Sequence, residues 1–269
     1  MSMIGSNTEE LLRQLVKNTS PKLSNSLLLS GSTSNFTINF SPTIDLSQNA
    51  KYEVALIRLE TYYSFPNIDS SNNLFKYSPN FGTTWNTITI PTGCYEISAI
   101  NAYIQRSMKD AGYYDSTNSA YYITLSTNFN TLKTIISLAP NYKIDFTIPN
   151  SLRTVLGFNS QIYSAVSTSQ GNSFESENIV NILSVNEILV HADIIGGSYI
   201  NGSSKSVLYS FFPGVGPGYK IIEVPKNLVY LPITRERIDS INIRLTDQDG
   251  KELDLRGETL TIRLHLREV

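Results

Sequence analysis

A strict alternation of apolar and polar residues near the C-terminus constrains this chain more than any other feature. In TLTIRLHL (259–266), Leu260, Ile262, Leu264 and Leu266 fall on one face, and Thr261, Arg263 and His265 on the other. A period of two is the side-chain repeat of a β-strand with one buried and one solvated face. IDSINIRL (238–245) repeats the pattern, with Ile241, Ile243 and Leu245 set against Ser240, Asn242 and Arg244. Two such strands around TDQDGKELDLRGE (246–258) read as a β-hairpin, with DQDG as its turn and KELDLRG as a short inner strand. The same stretch gathers Asp247, Asp249, Glu252, Asp254 and Glu258, which raises two other readings, a cation site and a catalytic acid cluster. A calcium loop needs flanking helices and a distant bidentate Glu. The flanks here are strands, so a turn is expected.

Most of the remaining chain carries strand signals. They are NFTINF (35–40), YEVALIRLETYYSF (52–65), TITI (87–90), YYITLS (121–126), TLKTIISL (131–138) and YKIDFTI (142–148). After them come EILVHADI (187–194), VLYSFF (207–212), YKIIEV (219–224) and LVYLPI (228–233). One internal helix is expected near 96–110, where Ile97, Ile100, Ile104 and Met108 recur at helical spacing before Gly112. NSLRTVLGF (150–158) reads as a helical turn stopped by Gly157, and 159–178 as a surface excursion. Residues 8–17 predict a short amphipathic helix capped by Thr8, with Leu11, Leu12, Leu15 and Val16 as its apolar stripe. NTSPKLSNS, from Asn18, reads as a linker. Many short strands, few helices and frequent Gly, Asn and Pro turns describe an all-β protein, an antiparallel sandwich or barrel.

Composition narrows the function. Cys94 is the only cysteine among 269 residues, which excludes an internal disulfide and a multi-cysteine zinc site. A formal net charge of −2 argues against nucleic acid as the main ligand. The charges are nonetheless uneven: residues 220–269 hold 18 of the 44 charged residues, nine of each sign, which suits a solvated face or paired contacts between subunits. No run of 18 apolar residues exists to span a membrane. The first twenty residues lack the layout of a secretion signal, so the sequons at Asn18, Asn35, Asn39 and Asn201 are expected to be unused.

Chemistry is hard to place on this sequence. The two histidines, His191 and His265, both fall in expected strands, with Asp193 on the same face as His191. No His-x-x-x-His spacing or Gly-x-Ser-x-Gly elbow accompanies them. GVGPGYK (214–220) lacks the Lys-Ser/Thr ending of a phosphate loop and runs into a strand. Trp85 and the 16 tyrosines offer aromatic surface for a sugar, or packing for a core or subunit interface. No catalytic, cofactor-binding or metal-ligating residue is therefore nominated.

Five segments together resemble the minor capsid (penton) proteins of Maverick/Polinton elements and of adintovirus-like or virophage-like DNA viruses. They are YEVALIRLETYYSFPNI, ITIPTGCYEISAINAYIQ, LRTVLGF, VNILSVNEILVHADIIGGSYINGSSKSVLYSFFPGVGPGYKIIEVP and DQDGKELDLRGETLTIRLHL, within residues 50–269. The resemblance implies a single jelly roll forming homopentamers at icosahedral vertices, beside a double jelly-roll major capsid protein. It implies location in the virion capsid, synthesis in the host cytoplasm and the nucleus as a candidate place of assembly. On this reading residues 1–34 form a helix and linker arm, 35–269 a jelly-roll domain, and 112–180 an inserted subdomain. Arg235, Arg237, Arg244, Arg256 and Arg263 are the expected subunit contacts, and Leu11, Leu12, Leu15 and Val16 the stripe that docks on neighbouring capsid proteins. The competing expectation is a glycan- or receptor-binding β-sandwich using Trp85 and exposed tyrosines; a hydrolase on the same scaffold is a third.

Overall fold

In a computed structural model of the chain, residues 22–183 and 185–269 are described. Its strands are numbered in chain order. The first three are β1 (Ser24–Gly31), β2 (Asn35–Asp45) and β3 (Tyr52–Tyr62). Seven short ones follow: β4 (Leu74–Ser78), β5 (Asn86–Thr89), β6 (Ile123–Asn128), β7 (Lys133–Leu138), β8 (Lys143–Asp145), β9 (Ile162–Ser164) and β10 (Asn172–Glu175). The chain continues with β11 (Ile188–Ala192), β12 (Ser198–Ile200), β13 (Ser203–Lys205) and β14 (Val207–Phe211). It ends with β15 (Lys220–Glu223), β16 (Leu231–Pro232), β17 (Arg237–Thr246) and β18 (Leu260–Glu268). Helices α1 (Ile97–Asp110) and α2 (Arg153–Leu156) interrupt them. No helix among the described residues is long and apolar enough to cross a membrane.

The chain divides into two compact units. One combines the described residues through Tyr63 with Glu187–Val269, and the other is Ser64–Asn186. The first unit is an antiparallel sandwich. One sheet runs β1-β18-β3-β15, with β16 also pairing β3; the other runs β14-β11-β17-β2. Counting only these eight longer strands in chain order, the sheets read 1-8-3-6 and 5-4-7-2, the doubly Greek-key order of a jelly roll. Alternation supplies the core. Leu260, Ile262, Leu264 and Leu266 from one sheet, and Ile238, Ile241, Ile243 and Leu245 from the other, are all fully buried. Burying each such side chain contributes roughly 1.5–3 kcal/mol.

Two expectations are corrected here. β17 and β18 are not a hairpin: β17 pairs with β11 and β2, while β18 pairs with β1 and β3 in the opposite sheet. The segment between them carries the chain across the sandwich. DQDG still turns, since the Asp247 N–H donates to the Lys251 carbonyl and the Gly250 N–H to the Asp247 carbonyl, with Gly250 at φ +85°. KELDL then turns Leu253 and Leu255 into buried positions rather than forming a strand. The second correction concerns the linker, expected to run through residue 34. Ser24–Gly31 is instead β1, paired along its whole length with β18 from Ser24 opposite Arg267 to Gly31 opposite Leu260.

The second unit enters the chain between β3 and β11. It holds a four-stranded sheet, β5-β4-β8-β9, and a three-stranded one, β10-β7-β6. The apolar face of α1 is the one its spacing predicts: Ile97, Ile100, Ile104 and Met108 are buried against a core that includes Phe75, Ile123, Ile136 and Phe146. The Tyr113 N–H donates to the Met108 carbonyl and the Gly112 N–H to that of Lys109, closing the helix end. α2 stops at Gly157, which has φ +81°. Residues 112–180 lie within this unit, together with β4, β5 and α1.

Candidate functional site

The five arginines are spread over the sandwich unit. On β17 and just before it, Arg235 is tied internally: its Nη2 lies 2.6 Å from Asp193 Oδ2, and its Nη1 donates to the Ser240 carbonyl at 3.2 Å. Arg237 Nε sits 3.6 Å from Asp45, with both groups exposed. Arg244 stands opposite His191 in the β11–β17 pairing. Arg263 lies on the other sheet, opposite Arg58 of β3. Arg256 is in the crossing segment at φ +52°, its N–H donating to Asp254 Oδ1. No single patch collects them. Leu11, Leu12, Leu15 and Val16 lie outside the described residues.

Near Arg263 the charges compensate one another. Glu60 takes Lys220 Nζ at 2.6 Å and Arg58 Nη2 at 2.7 Å. The hydrogen bond from Lys220 holds the Glu60 carboxyl below its ordinary range, helped by the positive charges of Arg58, Lys220 and Arg263. Such exposed pairs fix side chains in place and contribute little stability.

The histidines are not assembled for catalysis. His191 Nε2 is 3.0 Å from Thr246 Oγ1, and burial, then the positive charges of Arg244 and Lys205, lower its pKa to about 4. Asp193 turns away from it, accepting from Arg235 and from the Asn242 N–H at 2.8 Å. His265 is a clasp: Nε2 meets Ser24 Oγ at 2.9 Å and Nδ1 meets Tyr230 Oη at 2.7 Å. The Arg267 guanidinium lies 3.5 Å from the Tyr230 ring centroid. Among the described residues, no three His, Cys, Asp or Glu side chains come together in a way that could hold a metal ion. The acids of 247–254 have local partners instead. Asp247 Oδ1 accepts from the N–H groups of Asp249 at 3.0 Å and Lys251 at 2.9 Å, Asp254 from the Arg256 N–H, Glu252 from the Asn35 side-chain amide and Asp249 from that of Gln248.

What stands out is an apolar edge. β14 and β15 end their respective sheets. They are fastened together by Tyr209 Oη donating to Glu223 Oε1 at 2.8 Å. Burial, and then this bond, push the Tyr209 hydroxyl up to about 12. Along the same stretch Phe212 is 70% exposed, Tyr219 69%, Ile222 59%, Val224 56%, Leu228 43% and Val229 58%. Monomer surfaces scatter exposed apolar residues singly; a run of them marks a contact surface. A shallow cleft of about 690 Å³ adjoins it, lined by Leu189, Tyr199, Tyr209, Val229, Leu231 and Gln248 among others.

Reading the sequence for charge missed this edge, although a signal was present. Phe211-Phe212 and Ile221-Ile222 are adjacent apolar pairs. In a strand neighbouring side chains point to opposite faces, so one of each pair must leave the core. Phe211 and Ile221 are buried, and Phe212 and Ile222 are the outward members.

No family model matches the chain, and no curated protein matches it in sequence. Among solved structures, the selenomethionine-labelled mavirus penton protein is similar, with a TM-score of 0.48 and 12% identity over 92% of this chain and 100% of that one. The D1-D2-D3 domains of the flagellar cap protein FliD from Escherichia coli align over 89% of this chain and 54% of that one, with a TM-score of 0.17 and 11% identity.

Proposed function

We propose that this chain is a structural capsid protein, a penton-type minor subunit that closes into a homopentamer at the vertex of an icosahedral shell beside a double jelly-roll major capsid protein. The observation that carries this reading is the apolar edge at β14–β15, which gives the molecule a surface built for contact. The jelly-roll strand order and the five segments that resemble penton proteins support it. A ring of identical subunits joins one surface to a different surface of the next copy, and the two sides of this sandwich differ in that sense. β14 and β15 present apolar side chains, while the opposite edges β1 and β2 present chiefly serine, asparagine and threonine, with Leu28 the exposed exception. The stripe Leu11, Leu12, Leu15 and Val16 is proposed as the arm that reaches neighbouring capsid proteins, and Arg237, Arg244 and Arg263 as rim contacts.

The glycan- or receptor-binding reading has less support, since Lys76 Nζ lies over the Trp85 ring, 5.0 Å from its centroid. The test is co-expression with a double jelly-roll coat protein from the same genome, followed by imaging of the shells. Occupancy of the vertices by this chain is the expected result. Shells that form with the chain left unbound, together with specific retention on a glycan array, would overturn the proposal.

A further inference from the structure

The apolar edge has three properties that narrow what covers it. Its extent comes first. Summed over Phe212, Tyr219, Ile222, Val224, Leu228 and Val229 at the exposures given above, the exposed apolar surface is on the order of 600 Å², taking about 150–250 Å² for each aromatic side chain and somewhat less for each aliphatic one. That is at the top of the ~300–600 Å² range of monomer patches. It also approaches the ~800 Å² that each partner contributes to a standard interface.

The second property is a shortage of available charge. Between Phe212 and Val229 the charged residues are Lys220, Glu223 and Lys226. Lys220 is engaged by Glu60 at 2.6 Å and Glu223 accepts from Tyr209 at 2.8 Å, so two of the three are committed within the protomer. Charge depletion at the centre of a patch is the compositional mark of an interface core, and strongly apolar patches belong to permanent assemblies.

The third is an unpaired strand. β15 pairs with β3 on one side, and no strand among the described residues pairs with it on the other. Pro217 and Pro225 flank it and limit it to four residues. A short edge bounded by proline resists open-ended sheet addition, which leaves side-chain packing as the means of contact.

We propose that the 212–229 edge is the surface by which one copy of this chain grips the next. A surface this apolar needs a partner present whenever the chain is present, and a second copy meets that condition. The proposal rests on the self-assembly reading given above and adds to it the place of contact. Phe212 and Ile222 anchor the contact, while Lys220 is held by Glu60 and Glu223 by the Tyr209 hydroxyl of the same protomer rather than by the joint.

Sedimentation velocity on the full chain tests this, using the double variant I222E/V224E and a second pair, F212S/L228S. F129S serves as control, because Phe129 is 84% exposed on a turn of the other unit. All five positions are exposed, so each variant should keep the wild-type circular dichroism spectrum. The expected result is an oligomeric wild type, an unchanged F129S, and at least 100-fold weaker association in both double variants. Variants that assemble within two-fold of wild type would sink the edge while leaving self-assembly standing. A wild type that remains monomeric at every concentration would sink both. A wild-type dimer dispersed by the same variants would uphold the edge and contradict the five-membered ring.

Discussion

His191 carries a pH dependence that geometry explains. It sits half-buried in β11 with Arg244 opposite, and its pKa falls from the ordinary 6.5 to about 4. Between those values the unfolded chain binds a proton that the folded chain refuses. Its contribution to stability is therefore full above pH 6.5 and declines as pH falls toward 4. The carboxylates held low, Asp115 and Asp145 with Glu60, Glu175 and Glu177, act below their ordinary 3.8 for Asp and 4.5 for Glu, so a comparison of pH 7.5 with pH 5 separates the histidine from them. The wild-type urea midpoint should drop over that interval, and in H191N the drop should be smaller; equal drops would contradict the assignment. Gly157 is a second single-residue constraint. It ends α2 at φ +81°, and an added Cβ would meet the Asn178 carbonyl oxygen at 2.3 Å. G157A should cost more than about 2 kcal/mol in urea unfolding, through left-handed strain and a clash with main chain. That stop was legible in NSLRTVLGF, because a glycine after an apolar helical turn has a local cause. Its neighbour at Asn178 was not, because the approach depends on a chain segment some twenty residues onward.

At the scale of elements, the crossing between β17 and β18 depends on Asp247. Its carboxylate accepts two backbone N–H groups in a nearly buried position. D247A leaves those donors unsatisfied and should cost about 1–3 kcal/mol. Millimolar calcium should leave the melting temperature of the wild type unchanged, and a rise of several degrees would revive the cation-site reading. In β18, L264A should cost about 2–5 kcal/mol by opening a cavity between the sheets. The alternation in 238–245 and 259–266 identified the buried face of both strands. It could not say that they belong to different sheets, because period two is the same in either sheet and pairing partners come from distant sequence. β1 shows the same limit. SNSLLLSG holds Leu27, Leu28 and Leu29 in a row among polar residues and reads as a linker, yet pairing with β18 buries Leu27 and Leu29 and leaves Leu28 outside.

For the whole molecule, the jelly-roll order brings β14 and β15 to the ends of their sheets, and that placement gives the adjacent apolar pairs their meaning. The charge-dense C-terminal fifth drew attention first, but Arg235 is consumed within its own protomer, and Glu60 gathers Lys220 and Arg58. Charge is easy to see in a sequence. A commitment of charge to a partner brought near by folding is not. The claim on which the rest depends is that the chain acts through contact between identical copies, and native mass spectrometry of the full chain at micromolar concentration tests it most directly. The expected spectrum is dominated by a species of about 150 kDa, five copies of the 30.0 kDa chain. A spectrum that holds only the 30.0 kDa species across all concentrations would contradict it.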